Sequence, residues 1–550
     1  MGHSVGLTRR GFVQGAGVIT AGLGLGSVMG NARAGASTMA AEGLDLHPPA
    51  MDPTTQSLVP IPASRVADAV GALDDIIGQL LAVTGVPGLA ASVVHKGQVL
   101  YSKGFGVRDI STGAPFDAKT VFHLASVSKS LSGTVVAGLV GHKVVDWADP
   151  VVSHLPDFAL SVPYVTDNVS YGDLFSHASG LPSHAGDLLE DLGYDQQYIL
   201  HALRLLRLAP FRSSYAYTNF GLTAAGVSAA AAAGTDWASA ADSVLFGPLG
   251  MPSTSYRYSD FVAEPDRAAM HVRIDGKWYQ KYTRNADPEA PAGGASSNVV
   301  DLAKWMILKL ADGKWDGKQV IGADALLEAD SPHSVSGSPG TAASRAGFYG
   351  FGTNVSDDYS GRVRLSHSGA FLQGAATNHI LLPDQQLGIM ALTNGMPVGL
   401  PEAVNAYFMD LVIGGTIEND WFGLYSQVIE QEYVNPSELA GKKPPAHPAP
   451  ARPGSFYTGT YHSDFYGTIE IVARHGQLRV LMPPRPTDYP LRHWDGNVFA
   501  LYPTGENALG ISAATFAPGR AGRRAATLTL EYYDNLTYAD GTGVGVFRRR

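Results

Sequence analysis

The chain has 550 residues, 45% of them hydrophobic and 16% charged, which is a globular composition and long enough for two folded units. Its formal net charge of -10 at pH 7 argues against a basic surface for nucleic acid or anionic lipid. The sequence contains no cysteine, and this excludes disulfides, thiolate nucleophiles and cysteine-based zinc sites.

The N-terminus has the pattern of an export signal. Residues 8–13 resemble the twin-arginine motif, and an uncharged stretch leads from there to Ala32-Arg33-Ala34, a small-residue cleavage site. A membrane anchor is the alternative, but seven glycines between Gly11 and Gly30 weaken the apolar run. We therefore predict a twin-arginine signal peptide over 1–34, a periplasmic or secreted protein, and no stable membrane span after cleavage.

The next segments predict a leader, a helix and a hairpin. Residues 35–64 are small, polar and proline-containing, which is typical of a flexible leader. Apolar residues from Val66 to Val83 recur with helical spacing. Two runs typical of strands follow, Gly88–His95 and Gln98–Val107, joined by a turn at Lys96-Gly97.

Helical patterns dominate the middle of the chain, and strands return late. Helices are predicted at Ala224–Ala233, Val300–Ala311 and Pro401–Val412; late strands are predicted at Val363–His367, Ala376–Leu382 and Gly388–Thr393. Early strands, central helices and late strands indicate an α+β fold with an antiparallel sheet and a helical insertion, not alternating βαβ units. This unit is predicted to span 65–415.

A proline-rich linker is predicted over 416–454, since six prolines fall between Pro436 and Pro453. Beyond it, residues 455–550 are rich in aromatic residues, threonine and valine in short alternating runs with frequent turn residues. This pattern predicts a small all-β barrel or sandwich.

Ser126 and Lys129 are the first candidate catalytic residues. Their spacing puts both side chains on one face of a helix that we expect to run from Ser126 to about His142. A buried lysine near the positive end of a helix can lose its proton and activate a serine hydroxyl. The tetrapeptide alone is weak, because serine is also an ordinary helix cap.

Two further motifs follow in order, Tyr217-Thr218-Asn219 and His367-Ser368-Gly369. Together with Ser126-x-x-Lys129 they resemble the three motifs of the penicillin-recognising serine hydrolases. Further segments resemble those of the same family, and the resemblance spans about Val66 to Val412. These segments are Leu174–Pro182, Pro291-Ala292-Gly293-Gly294 and Leu392-Thr393-Asn394-Gly395.

The resemblance implies a beta-lactamase/transpeptidase-like fold and a role for each motif residue. Ser126 would form an acyl-enzyme, Lys129 would act as base or keep the local charge positive, and Tyr217 would relay the proton to the leaving group. Asn219, His367, Ser368 and Gly369 would orient Lys129 or the substrate. The backbone N–H groups of Ser126 and Ala370 would form the oxyanion hole.

His367 shifts the expected substrate. Lactamases and transpeptidases of the family mostly carry lysine there, whereas histidine variants resemble D-aminopeptidases, D-peptide hydrolases and esterases. We expect a peptidase acting on small or D-residue-containing peptides. A carboxylesterase, a beta-lactamase and a penicillin-binding sensor without turnover remain the alternatives.

Motifs in 455–550, such as Phe456–Tyr461 and Tyr466-Gly467, resemble the lipocalin-like domain appended to some peptidases of the family. We predict no cofactor and no metal, since the 17 histidines include no HExxH pair. The expected partner is a small-molecule or peptide substrate. A homo-oligomer is left open, and no nucleic acid is expected.

Overall fold

The computed structural model describes residues 60–485, 487–534 and 543–550. The predicted signal peptide lies outside these residues. The helices run over Ala63–Thr84, Ser128–Gly141, Pro163–Asn168, Tyr171–Phe175, Asp187–Leu192, Gln196–Ala202, Asn219–Ala232, Trp237–Ala241, Gly247–Leu249, Tyr258–Ala263, Ala290–Gly293, Val299–Leu310, Ala323–Ala329, Leu400–Ile413, Trp421–Glu432, Gly454–Tyr457 and Glu531–Asp534. No helix among the described residues is long and apolar enough to cross a bilayer.

A nine-stranded antiparallel sheet organises the first unit. In spatial order its strands are Ser334–Gly337, Gly347–Tyr349, Asn354–Asp357, Val363–Phe371, Ala375–Leu382, Leu387–Thr393, Gly88–His95, Gln98–Asp109 and Ala114–Pro115. The hairpin predicted at Lys96-Gly97 is confirmed, and both turn residues have positive φ. The predicted α+β architecture with its antiparallel sheet is confirmed.

The central strands are buried on both faces. In Gly88–His95, Leu89 and Val93 pack with the first helix and with Leu400–Ile413, while Ala90 and Val94 belong to the core on the opposite face. Because successive side chains of a strand point to opposite faces, one strand serves two hydrophobic layers. The helix Ser128–Gly141 lies in the second layer and begins beside Ser126.

Three short strand pairs lie outside the nine-stranded sheet. They are Phe122–His123 with Ser296–Ser297, His271–Ile274 with Lys277–Gln280, and Lys314–Trp315 with Lys318–Gln319. The first of these pairs the residues just before Ser126 with those just after the Pro291–Gly294 segment. Two distant parts of the chain are thereby joined at one point.

The second unit is a nearly closed barrel of nine antiparallel strands. In spatial order they are Thr487–Pro490, Gln477–Met482, Gly467–Arg474, Gly459–Ser463, Val546–Arg549, Ala525–Leu530, Ser512–Pro518, Val498–Leu501 and Arg492–Asp495. The segment predicted as a linker contains a twelve-residue helix, Trp421–Glu432, which packs on Leu400–Ile413. Six of its twelve residues are apolar and recur with helical spacing, a pattern that the prediction of a proline-rich linker over 416–454 overlooked.

Gly133 gives a test of how closely the Ser128–Gly141 helix packs. A Cβ at this position would lie 2.1 Å from the Phe351 carbonyl oxygen. We expect Gly133→Ala to lower the free energy of unfolding by about 1–3 kcal/mol, because the backbones would have to separate. Denaturant unfolding measures the change.

The matched control is Gly78→Ala in the first helix, where an added Cβ meets nothing within 4 Å. That substitution should stabilise the protein by about 0.5–1 kcal/mol. Equal effects of the two substitutions would contradict the close packing of Gly133.

Candidate active site

Ser126 lies in a short turn of its own. A 3-10 turn spans Ala125–Val127, and the α-helix begins at Ser128. The expected single helix starting at Ser126 is thus divided in two. Ala125 has φ 47°, and the first bond of the turn joins the Val127 N–H to the Leu124 carbonyl oxygen at 3.2 Å. Ser126 is partly exposed between buried neighbours, so its hydroxyl is accessible.

Lys129 is fully buried and makes three polar contacts. Its ammonium nitrogen lies 3.2 Å from Ser126 Oγ, 2.7 Å from Asn219 Oδ1 and 2.9 Å from the Ala292 carbonyl oxygen. Burial lowers the pKa of Lys129 from 10.5 to about 8, although nearby carboxylates oppose the change. About a tenth of this amine is therefore neutral at pH 7, and about half at pH 8.

The two other acceptors for Lys129 come from motifs that the sequence singled out. Asn219 begins the helix Asn219–Ala232 directly after the extended Thr218. Ala292 lies in the short helix Ala290–Gly293. The structure therefore brings three distant motifs to one ammonium group.

The Tyr217 ring covers Lys129. The Lys129 nitrogen lies 4.6 Å from the centroid of the Tyr217 ring, and the ring centroids of Tyr217 and His177 are 4.5 Å apart. Tyr217 is 3% exposed. The predicted relay residue thus contacts the predicted base and lies within the same buried cluster.

Gly369 lets a strand of the large sheet approach the Ser126 turn. A Cβ at Gly369 would lie 2.2 Å from the Leu124 carbonyl oxygen and 3.0 Å from the Ser126 nitrogen. The Thr377 hydroxyl, on the neighbouring strand, donates to the same Leu124 oxygen at 2.8 Å. Only glycine fits between the two backbones, which places Ala370, the next residue, beside the nucleophile turn.

His367 is fully buried, and both of its ring nitrogens have protein partners. Nδ1 lies 2.6 Å from the Ser368 carbonyl oxygen and Nε2 lies 2.8 Å from the Tyr349 hydroxyl. Burial, and then the charge of Lys129, lowers the pKa of His367 to about 3. The imidazole is neutral at pH 7, with Nδ1 donating and Nε2 accepting.

Ser368 is not brought together with Ser126. Alternation along the strand turns its side chain to the opposite face of the sheet. There its hydroxyl accepts a bond from Asn378 Nδ2 at 3.0 Å and lies beside Glu402. The Ser368 side chain therefore does not lie where it could orient a substrate at Ser126.

Sequence reasoning missed an ionic cluster next to the site. Arg284 lies 2.7 Å from Glu190, 2.9 Å from Glu289 and 3.8 Å from Asp191, and its guanidinium covers the Phe371 ring at 4.7 Å. Burial raises the pKa of Glu190 well above its usual range in spite of Arg284. Arg284 and its sequence neighbours carry no motif, so nothing in the local sequence indicated this cluster.

A loop of the barrel also reaches the site. Glu506 accepts bonds from the backbone N–H groups of Leu372 and Gln373, just beyond Ala370. Asp191 in turn accepts from the Glu506 N–H at 2.9 Å. The barrel is thus attached to the strand end that borders the Ser126 turn.

A family model described as Beta-lactamase matches residues 73–413. The chain belongs to the beta-lactamase family. This is a family of serine hydrolases, and the match covers the whole first sheet and the motifs of Ser126, Tyr217 and His367. A second model, for a domain of unknown function (DUF3471), matches residues 443–539, over most of the barrel.

Curated relatives include hydrolases and an esterase at low identity. The unguisins hydrolase ungD of Aspergillus violaceofuscus is 24% identical over 72% of this chain and 75% of its own length. Esterase EstB of Burkholderia gladioli is 27% identical over 66% of this chain and 98% of its own. The human mitochondrial serine beta-lactamase-like protein LACTB is 32% identical, over only 25% of this chain and 26% of its own.

Among solved structures, the octameric penicillin-binding protein homologue from Pyrococcus abyssi has the same fold. It superposes with a TM-score of 0.56 at 19% identity, over 84% of this chain and 98% of its own. The coverage includes both units of this chain, since neither unit alone spans so much of it.

Arg284→Met tests the ionic cluster. The substitution leaves Glu190 and Glu289 buried without their cation, and we expect it to cost about 3–5 kcal/mol of unfolding free energy at pH 8. Both carboxyls have raised pKa values in the folded state, so the native protein binds more protons than the unfolded chain. Stability of the variant should therefore improve as the pH falls to 5. Denaturant unfolding at both pH values measures it.

Arg284→Lys is the control, because it keeps a cation near the same carboxylates. It should lose less stability than Arg284→Met at pH 8. A pH-independent loss for Arg284→Met would show that the cluster is not electrostatic.

Proposed function

We propose that this protein hydrolyses amide or ester bonds through an acyl-enzyme on Ser126. One observation carries the proposal: a buried lysine with a pKa of about 8 lies 3.2 Å from the hydroxyl of a partly exposed serine. Family membership supports the same chemistry. The other named site residues assist Ser126 and Lys129.

In the first step the neutral amine of Lys129 takes the proton of the Ser126 hydroxyl as Oγ bonds to the substrate carbonyl carbon. The carbonyl oxygen becomes negative and accepts from the backbone N–H groups of Ser126 and Ala370. The tetrahedral intermediate then expels its amine or alkoxide. Lys129 returns the proton to this leaving group, with Tyr217 as the relay, and water later hydrolyses the ester on Ser126.

The proposed substrate class is a small or D-residue-containing peptide. A neutral, buried His367 supplies no cation for a substrate carboxylate, which favours a ligand without a carboxylate at that position. The similarity to a protein named as a hydrolase of unguisins supports a hydrolase of the same general kind.

A carboxylesterase is the second candidate, favoured by the nearly complete coverage of EstB.

We also propose export through the twin-arginine pathway. Fractionation of cells producing the chain, compared with a variant carrying Arg9→Lys and Arg10→Lys, tests the export step; an unchanged distribution would contradict it.

A substrate panel tests the proposed class. The mature protein is compared on p-nitrophenyl esters, L- and D-aminoacyl amides and nitrocefin. We expect amide hydrolysis, with the D-residue amides preferred. Turnover of esters alone would favour the carboxylesterase, rapid nitrocefin turnover would favour a beta-lactamase, and a stable acyl adduct without turnover would favour a penicillin-binding sensor.

Ser126→Ala tests the nucleophile. We expect it to abolish covalent labelling by a fluorophosphonate, because the phosphonate bonds to an activated hydroxyl. Ser130→Ala is the matched control on the following helix, since its hydroxyl donates to the Gly352 carbonyl oxygen at 2.8 Å. Labelling that survives Ser126→Ala would place the nucleophile elsewhere.

The pH dependence of labelling tests Lys129. The rate should rise about tenfold per pH unit below a midpoint near 8, where the amine becomes neutral, and then level off. Lys129→Ala should slow labelling by about 10²–10⁴-fold. Lys129→Arg retains a cation that cannot act as base, so it should be equally slow; a near-normal rate in either variant would exclude Lys129 as the base.

A further inference from the structure

A chain of three hydrogen bonds leads from Lys129 to a histidine outside the family motifs. Asn219 accepts from Lys129 through Oδ1 at 2.7 Å and donates through Nδ2 to Asp187 Oδ2 at 3.0 Å. The same carboxylate oxygen lies 2.9 Å from His184 Nδ1. The first two links join residues that are far apart in sequence, whereas His184 and Asp187 in the third are three residues apart.

The backbone holds His184 in this chain. Its N–H donates to the Tyr217 carbonyl oxygen at 2.8 Å, and its φ of 58° is a left-handed conformation that a histidine seldom adopts. Its ring lies 5.8 Å from the Tyr217 ring. About a third of the His184 side chain is exposed, whereas Asp187 is 7% exposed. The imidazole thus borders the site, while the carboxylate lies beneath it.

Charged and titratable groups face His184 from several elements. Asp187 begins the helix Asp187–Leu192, Glu432 ends the helix Trp421–Glu432, and Lys129 lies on the helix after Ser126. His177 and Tyr217 complete the set. Burial opposes the charged imidazole, but Asp187 and then Glu432 raise the pKa of His184 above its usual 6.5.

We propose that His184 is a positioning residue for Lys129, acting through Asp187 and Asn219. It fixes the Asp187 carboxylate on Asn219, so that the amide oxygen of Asn219 holds the lysine beside Ser126. When protonated, its imidazolium also partly cancels the charge of Asp187, which otherwise favours the protonated lysine. The inference rests on the proposed role of Lys129 as base. It adds that His184 sets the pH range in which Lys129 acts as base.

Two substitutions should move the labelling profile in opposite directions. Asp187→Asn removes a negative charge near Lys129, so the midpoint should fall by at least about half a unit. His184→Ala leaves the Asp187 charge uncompensated, so the midpoint should rise by a similar amount. The measurement is the second-order rate constant of fluorophosphonate labelling at Ser126 between pH 5 and 10.

His184→Gln separates positioning from charge. Glutamine can donate to Asp187 and hold it in place, so His184→Gln should recover the maximal labelling rate that is lost in His184→Ala. Because glutamine cannot become charged, the pH midpoint of labelling should stay raised. His201→Gln, on the exposed face of the helix Gln196–Ala202, is the matched control and should leave the profile unchanged. Thermal unfolding of each variant identifies loss of folding.

Unchanged midpoints in both Asp187→Asn and His184→Ala would overturn the inference. A loss of rate in His184→Ala that is the same at every pH and is not recovered by His184→Gln would also overturn it. Failure of the proposed function gives a different result, because the unsubstituted protein would then not be labelled at Ser126 at all.

Discussion

The burial of one lysine is the constraint on which the rest of the site depends. An ammonium group out of water requires acceptors on several sides, and Lys129 finds them on Ser126, Asn219 and Ala292. Ser126 lies in the turn before the helix Ser128–Gly141. Asn219 begins the helix Asn219–Ala232, and Ala292 lies in the short helix Ala290–Gly293. The position of Lys129 therefore determines how three parts of the helical insertion meet the sheet.

The same burial sets the chemistry. Desolvation lowers the pKa of Lys129, and the neighbouring carboxylates prevent it from falling further. The balance places the amine where it exchanges a proton near neutral pH, which a general base requires. Two carboxylates act on Lys129 by their charge: Glu289, which shares Arg284, and Asp187, which is bonded to His184. Neither is a direct partner of Ser126, but both act on Ser126 through the pKa of Lys129.

The barrel takes part in the site's architecture. Tyr194 and Tyr198 of the helical insertion donate to the backbone of Tyr466 and Phe465 at 2.7 and 3.0 Å. On the other side, Glu506 holds the turn after Phe371. The strand end that carries Ala370 is consequently bonded both to its own sheet and to the second unit.

The sequence by itself determined the elements and the motif residues. Hydrophobic periodicity predicted the helix Ala63–Thr84 and the buried strands, because those patterns arise from local geometry. The order of the motifs predicted that Ser126, Lys129, Tyr217 and Asn219 would converge. Only the tertiary structure decided the environment of those residues. It buried His367 against Tyr349, turned Ser368 to the far face, and brought Arg284, His184 and Glu506 to the site, because burial and long-range charge depend on contacts that no local pattern records.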